Sequence, residues 1–453
     1  MNTAFAMLRC GLCHDYSGEE FMLRRKIMDD LVRWKARKKK ECLLVKGARQ
    51  IGKTFIIREF AKQNYENIVE LNFVTKEEHK KIFGGNLDMD TIIEEITIRD
   101  RNARFVPGKT LLFLDEIQDC GNARTALKPI AEDGRFDCIA SGSMLGVAQK
   151  SIRSVPVGYE RHMEMHSLDF EEFLWATGNG EETMAYMKQY YDAKKTVPQS
   201  SNAVLHKRLR EYAVIGGMPS VINIYLETKN FGLVQEEQER IRASYMSDIT
   251  NYAPDAEKPK IRSCYDSIPR QLAKENKKFQ YSEVEEGSGA KKYENSLEWL
   301  RDAGMIKFCY NVSEPEFPLP AYIKKNQFKV YLTDIGILNS MYGFKMKSEI
   351  YNETLKGTAK GWFYENIIAD ILMKKGIPLN YFKPEKGTQE IEFLLTGEER
   401  IIPVEVKSRN GSTMSLNEFI SKRNPPYALK FVGGNVGVDG KKITLPLYMA
   451  IFL

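Results

Sequence analysis

The chain has 453 residues, 43% hydrophobic and 28% charged, an ordinary globular balance in a chain too long for one core, so several domains are expected. Its 67 basic residues against 61 acidic ones give a net charge of +6, with both signs mixed along the sequence, which permits a nucleic-acid partner without arguing for one. No apolar run approaches the ~20 residues of a membrane span and no secretory signal is evident, so no membrane partner is expected and the cytoplasm is the default compartment.

Near the start, Cys10-Gly11-Leu12-Cys13-His14 has the spacing of c-type haem attachment. That chemistry requires export, which nothing in the sequence directs, so the match is read as coincidental and residues 1–21 as an N-terminal extension. The remaining cysteines are scattered, mostly in apolar stretches, and are expected as reduced core residues. Leu23, Ile27, Leu31 and Trp34 mark an amphipathic helix ending in Arg37-Lys38-Lys39-Lys40, a solvated basic end favoured by the helix dipole.

Cys42-Leu43-Leu44-Val45 then reads as a short strand, and Phe55, Ile56, Ile57 and Phe60 recur at helical spacing. Between them lies Gly47-Ala48-Arg49-Gln50-Ile51-Gly52-Lys53-Thr54, which is G-x-x-x-x-G-K-T. Glycines at 47 and 52 let backbone N–H groups turn inward around a polyphosphate, and the helix that follows adds its positive end. Lys53 is the residue to reach the β- and γ-phosphates, and the Thr54 hydroxyl is the one to ligate Mg²⁺. ATP and Mg²⁺ are therefore the expected cofactors.

Ile68–Phe73 is the next strand, and residues 76–103 read as polar and helical. Thr110-Leu111-Leu112-Phe113-Leu114-Asp115-Glu116 follows, an apolar run ending in two acids. A buried parallel strand would deliver Asp115 to hold Mg²⁺, with Glu116 placed to deprotonate the attacking water. Phe136–Ser143 supplies another strand, ending in small polar residues where Ser143 is the candidate γ-phosphate sensor. Arg153 and Arg161 are candidates for a transition-state arginine acting in cis or from a neighbouring subunit, which makes a homo-oligomer a candidate assembly. His162–Met165 closes the segment as a last strand, before a helix start at Leu168–Leu174. The alternation over residues 42–165 predicts an α/β fold, a mostly parallel P-loop NTPase sheet with helices on both faces and a ligand site at the C-terminal strand ends.

G-A-R-Q-I-G-K-T, L-F-L-D-E-I-Q, A-S-G-S and L-D-F-E-E-F-L-W-A together resemble the prokaryotic AAA-type ATPases that carry a C-terminal domain of unknown function. Ile215-Gly216-Gly217-Met218-Pro219 is similar to a marker of the same family, and Val404-Glu405-Val406-Lys407 to its nuclease-like tail; the resemblance covers roughly residues 22–410. It departs at one point. Many relatives carry a basic residue after a glycine beyond the sensor strand, whereas here Gly158 is followed by Tyr159, so the resemblance assigns no arginine finger.

Residues 178–203 are polar and suit a hinge or linker, and 204–252 are helical apart from a turn at Gly216-Gly217-Met218-Pro219. Ile268, Leu272 and Ala273 suit a helix, Ser282-Glu283-Val284-Glu285 a capping box for a second, and Tyr293, Leu297 and Leu300 one face of a third. With a hairpin formed by Met305–Val312 and Phe328–Leu332, this set resembles a winged helix. Lys291 and Lys292 would face DNA if it binds any; the alternative is a winged helix that packs domains or subunits together. In the last region Glu365 sits on a helix beginning near Lys360, and Glu390–Leu395 pairs with Ile401–Lys407. Glu392, Glu405 and Lys407 resemble the PD-(D/E)xK nuclease core, with Glu392 where Asp is usual, and Glu365, Glu392 and Glu405 form a tentative second metal site near Lys407.

The expected division is an extension at 1–21, an AAA-type ATPase domain at 22–178, a polar linker and helical region at 179–258, a winged-helix-like domain at 259–345 and a small α/β nuclease-like domain at 346–453. The corresponding function is an ATP-hydrolysing switch or motor on a nucleic-acid or protein client. Its rivals are a regulatory ATP-binding protein without useful turnover and an ATP-gated metal-dependent nuclease.

Overall fold

A computed structural model describes residues 22–37, 41–148, 158–386, 389–398, 400–407 and 413–453. The Cys10–His14 motif with the whole 1–21 extension, Lys38–Lys40 and Arg153 lie outside the described residues. The first sheet contains β1 (Cys42–Lys46), β2 (Asn67–Asn72), β3 (Thr110–Asp115), β4 (Asp137–Gly142) and β5 (Glu160–Glu164), in the order β2-β3-β4-β1-β5. Every neighbouring pair is parallel.

The strand sequences explain why both faces are covered. β3 and β4 are buried along their full length, as continuous apolar runs of central parallel strands require. Leu43, Val45, Leu111, Phe113 and Ile139 point into one core, while Leu44, Leu112, Leu114, Cys138 and Ala140 point into the other, following the two-residue period of a strand. The first of these cores does not end with the sheet. It continues through Tyr212, Ile215 and Leu300 to Phe363 and Tyr448, so one apolar interior joins the phosphate-loop domain to the C-terminal half.

Residues expected to form a linker are largely helical, as Glu181–Ala193 and the start of Gln199–Ile215. Met184, Met187, Tyr190 and Tyr191 supply the reason: at helical spacing they pack on the core, with Met187 fully buried. The expected second helix of the winged-helix pattern is replaced by a single 3₁₀ turn, Tyr281–Glu283, in which Ser282 caps nothing. Gly287, at φ +74°, turns the chain too soon after it for a helix to nucleate. The flanking helices are Lys258–Leu272 and Ala290–Asp302, followed by the antiparallel hairpin β6 (Ile306–Val312) and β7 (Ile323–Leu332).

β8 (Asn380–Phe382) pairs in parallel with β6, so a strand from the last region completes the hairpin's sheet. The remaining sheet is formed by β9 (Phe393–Thr396), β10 (Ile401–Lys407), β11 (Ala428–Val432), β12 (Gly437–Asp439) and β13 (Lys442–Pro446), in the order β12-β13-β11-β10-β9. The helix Thr358–Lys374 packs on β10. No helix among the described residues is long and apolar enough to cross a membrane.

Candidate functional site

The loop after β1 is shaped by what presses on it. A Cβ at Gly47 would lie 2.2 Å from the Met165 carbonyl oxygen, so only glycine fits at that approach. Gly52, at φ +90°, turns the chain into the helix Lys53–Asn64. Lys53 is buried and folds back on the loop, its Nζ donating to the carbonyls of Gly47 at 3.0 Å and Ala48 at 2.7 Å. Burial pushes its ammonium down to about 8, against the opposing pull of Glu116 and Asp115.

Sheet register brings the next groups together. β4 lies between β1 and β3, and Ser141 pairs with Val45, so its hydroxyl stands between the loop and the end of β3. Asp115 gathers three donors: Thr54 Oγ1 at 3.1 and 3.2 Å, Asn72 Nδ2 at 2.8 Å, and Ser141 Oγ. Burial raises the Asp115 carboxyl above its usual range, and the Ser141 bond is the largest force against that rise. Paired hard oxygens from Thr54 and Asp115 at the loop's end are the donor chemistry that Mg²⁺ takes, so these two residues fit the expected metal.

Glu116 adopts left-handed backbone geometry (φ 54°, ψ 50°), a conformation that costs a non-glycine residue roughly 1–3 kcal/mol and collects at functional sites. Its carboxylate accepts from Gln118 Nε2 at 2.7 Å and from Ser143 Oγ at 3.2 Å. Ser143 thus stands at the strand end as expected, bound here to the candidate base. Asn72, Ser141 and Gln118 went unread in the sequence. Asn72 and Ser141 carried one usable signal: each is a polar residue at the C-terminal end of a candidate strand, where a parallel sheet binds its ligand.

Arg161 is not brought to this site within the chain. It pairs with Leu43 in the sheet and its guanidinium binds Glu41 at 3.3 and 3.4 Å. Those are the N-terminal ends of the strands, about 13 Å of extended chain from the loop. Strand direction is the reason: a parallel strand delivers only its last residues to the ligand edge, and Arg161 is near the first.

The remaining loop residues are held from the C-terminal half. Arg49 Nη1 pairs with Asp248 and Gln50 Nε2 donates to Ser244 Oγ at 3.0 Å, both on the helix Phe231–Tyr252. A Cβ at Gly304 would lie 3.3 Å from the Ala48 nitrogen. The expected DNA-facing helix is also engaged: Lys292 binds Glu285 at 2.6 Å, and the end of Ala290–Asp302 packs on Gly146, whose added Cβ would lie 2.6 Å from the Asp302 carbonyl oxygen.

At the tentative second site, Lys407 Nζ lies 2.7 Å from Glu392 and 3.5 Å from Glu405. Glu405 is wholly buried, neither carboxylate oxygen has a hydrogen-bond partner, and desolvation pushes it up to about 7. Glu365 is committed elsewhere, to Lys277 at 2.7 Å, Lys329 at 2.8 Å and the Tyr331 hydroxyl at 2.7 Å. Burial alone would raise the Glu365 carboxyl, but the two lysines hold it well below the carboxylate range. Lys329 reaches on to Glu390 at 2.7 Å. The expectation of three carboxylates gathered near Lys407 is therefore corrected: lysines claim the third, and among the described residues no group of three or more His, Cys, Asp or Glu could hold a metal.

Residues 39–174 match the AAA domain family, residues 206–348 a domain of unknown function (DUF8612), and residues 360–448 another domain of unknown function (DUF4143). Curated proteins yield no match. Among solved structures, a Walker-type ATPase of Pyrococcus abyssi shares 13% identity over 72% of this chain and 99% of its own, with a TM-score of 0.42. The Aeropyrum pernix ORC1 protein, solved in complex with DNA, shares 13% over 73% of this chain and 95% of its own, at a TM-score of 0.28. The S. cerevisiae Hsp104–ADP complex shares 13% over 77% and 43% respectively, at 0.27.

Proposed function

For this chain, which is an AAA-type P-loop protein with C-terminal domains of unknown function, we propose the Mg²⁺-dependent binding and hydrolysis of ATP at residues 47–54, driving a switch or motor. The observation that carries this reading is the convergence of Thr54 Oγ1 on both oxygens of Asp115, 3.1 and 3.2 Å away, beside a strained Glu116 already bound to two neutral donors.

The phosphate-loop N–H groups and Lys53 would take the phosphates, for which Lys53 must leave the Gly47 and Ala48 carbonyls. Magnesium held by Thr54 and Asp115 would supply charge neutralisation at the phosphates. Asn72 and Ser141 fix the Asp115 carboxylate, and Gln118 and Ser143 fix Glu116, which accepts a proton from the attacking water. Simple nucleotide storage requires no such oriented base, which disfavours the regulatory reading without turnover. The nuclease-like unit serves better as a binding module than as a nuclease, because lysine ammoniums already neutralise Glu365 and Glu390. Its client is a nucleic acid or a protein.

The test is Mg²⁺-dependent ATPase activity of the purified chain. Lys53→Ala should abolish ATP binding, while Glu116→Gln should bind ATP and lose turnover by ~100-fold or more. Wild-type turnover in Glu116→Gln would remove Glu116 as the base.

A further inference from the structure

Three consecutive residues of the phosphate loop are gripped by the segment that follows the AAA domain. Gly304 lies against Ala48, Asp248 pairs with Arg49, and Ser244 accepts from Gln50. Ser244 and Asp248 are one turn apart on the helix Phe231–Tyr252 and so present a single face to the loop.

The pair itself is unequal. The Asp248 side chain has no exposed surface, whereas that of Arg49 is 32% exposed. One Asp248 oxygen takes the guanidinium, and Oδ2 has no hydrogen-bond partner. A buried carboxylate in that state leans chiefly on the guanidinium that touches it, with the Lys53 ammonium as a more distant second cation. Asp248 also faces the same electrostatic centre as the candidate site: Asp115, Glu116 and Asp248 all act on the Lys53 ammonium.

A polyphosphate entering this loop brings further negative charge to the place where Arg49 already serves Asp248. Guanidinium binds phosphate through paired, charge-assisted hydrogen bonds and is drawn to it. Asp248 is then left buried without the guanidinium, and its charge is relieved by taking up a proton, which burial already favours, or by movement of the helix that carries it. That helix packs against Pro219–Thr228, Lys258–Leu272 and Ile335–Ser340, so its displacement is passed to the region around the hairpin.

We infer that Arg49 and Asp248 form a latch which holds the helix Phe231–Tyr252 over the phosphate loop, and that nucleotide binding opens it. The inference rests on the ATP-binding reading above and adds how occupancy of the loop is relayed to the C-terminal half. It makes Asp248 a positioning residue that competes with nucleotide for Arg49.

The experiment uses the full chain and a fluorescent ATP analogue with Mg²⁺, together with hydrogen exchange across residues 231–252. Asp248→Asn, which keeps the shape and removes the charge, should bind about tenfold tighter than wild type. That gain should vanish when Arg49→Gln is added. Amides of the helix should exchange faster in wild type when nucleotide is present, and in Asp248→Asn they should already exchange fast without it. Unchanged or weaker binding by a folded Asp248→Asn, or wild-type exchange indifferent to nucleotide, overturns the latch. Should Asp248→Asn not fold, the wild-type exchange comparison decides alone. A wild-type chain that binds no nucleotide fails the underlying reading and the latch with it, whereas binding without the exchange response fails the latch alone.

Discussion

Replacing Lys329 by Met tests whether the lysine-filled cluster of the C-terminal half holds it together. Lys329 is 1% exposed and bridges Glu365 and Glu390, which come from the helix Thr358–Lys374 and the approach to β9. Breaking a buried pair by removing one partner costs about 3–5 kcal/mol, since the other charge stays desolvated. Here Lys277 still meets Glu365 at 2.7 Å and Lys383 still meets Glu390 at 3.0 Å, so the lower end of that range, about 3 kcal/mol, is expected. A chain of 453 residues is well beyond the size at which a single two-state transition is assumed, so one global unfolding free energy is not the right quantity. Native-state hydrogen exchange of β7 and the helix Thr358–Lys374 reads the local loss, and about 3 kcal/mol corresponds to roughly 100-fold less protection. Adding Glu365→Gln should recover part of the loss by removing a buried carboxylate left with one lysine in place of two, while Lys325→Met, at an exposed position of the same strand, should change little. A loss below about tenfold, or a double variant less protected than Lys329→Met, would refute the view that the cluster is an interdependent ion network.

Two further expectations concern charge and assembly. Glu405, raised to about 7 from its usual 4.5, is protonated in the folded chain at mild acidity. Its contribution to stability is therefore complete below about pH 4.5 and is lost as pH rises through 7, by an amount of order 1–3 kcal/mol. Glu405→Gln should flatten that decline in the hydrogen-exchange protection of β10 measured between pH 5 and pH 8, and an unaltered pH profile would show that Glu405 is ionised throughout. With Arg161 held by Glu41 away from its own loop, a finger supplied by a neighbour would make turnover per subunit rise with protein concentration, and mixed Lys53→Ala and Arg161→Ala chains would regain turnover that each lacks. Turnover independent of concentration in a proven monomer excludes the trans finger.

The sequence by itself determined what depends on residues close together in the chain. The phosphate loop was legible because its glycines, Lys53 and Thr54 act at fixed spacing within one strand–loop–helix unit. Asp115 and Glu116 were legible because an apolar run buried on both faces ends in two acids, and the alternation of such runs implied the parallel sheet. Met184, Met187, Tyr190 and Tyr191 also carried a readable period, obscured by the polar residues between them.

Tertiary structure decided the partners, because a charged or polar side chain does not encode which distant group it will meet. Strand order set Ser141 and Asn72 beside Asp115, and strand direction put Arg161 at the wrong end of its sheet. Glu365 had the right type and place for a metal site, but a hairpin strand and a loop brought Lys329 and Lys277 to it first. Asp248 looked like any acid on a polar helix. Only the packing of that helix on the phosphate loop buries it and brings Arg49 against it, since burial and pairing are set by long-range contacts that local sequence does not specify.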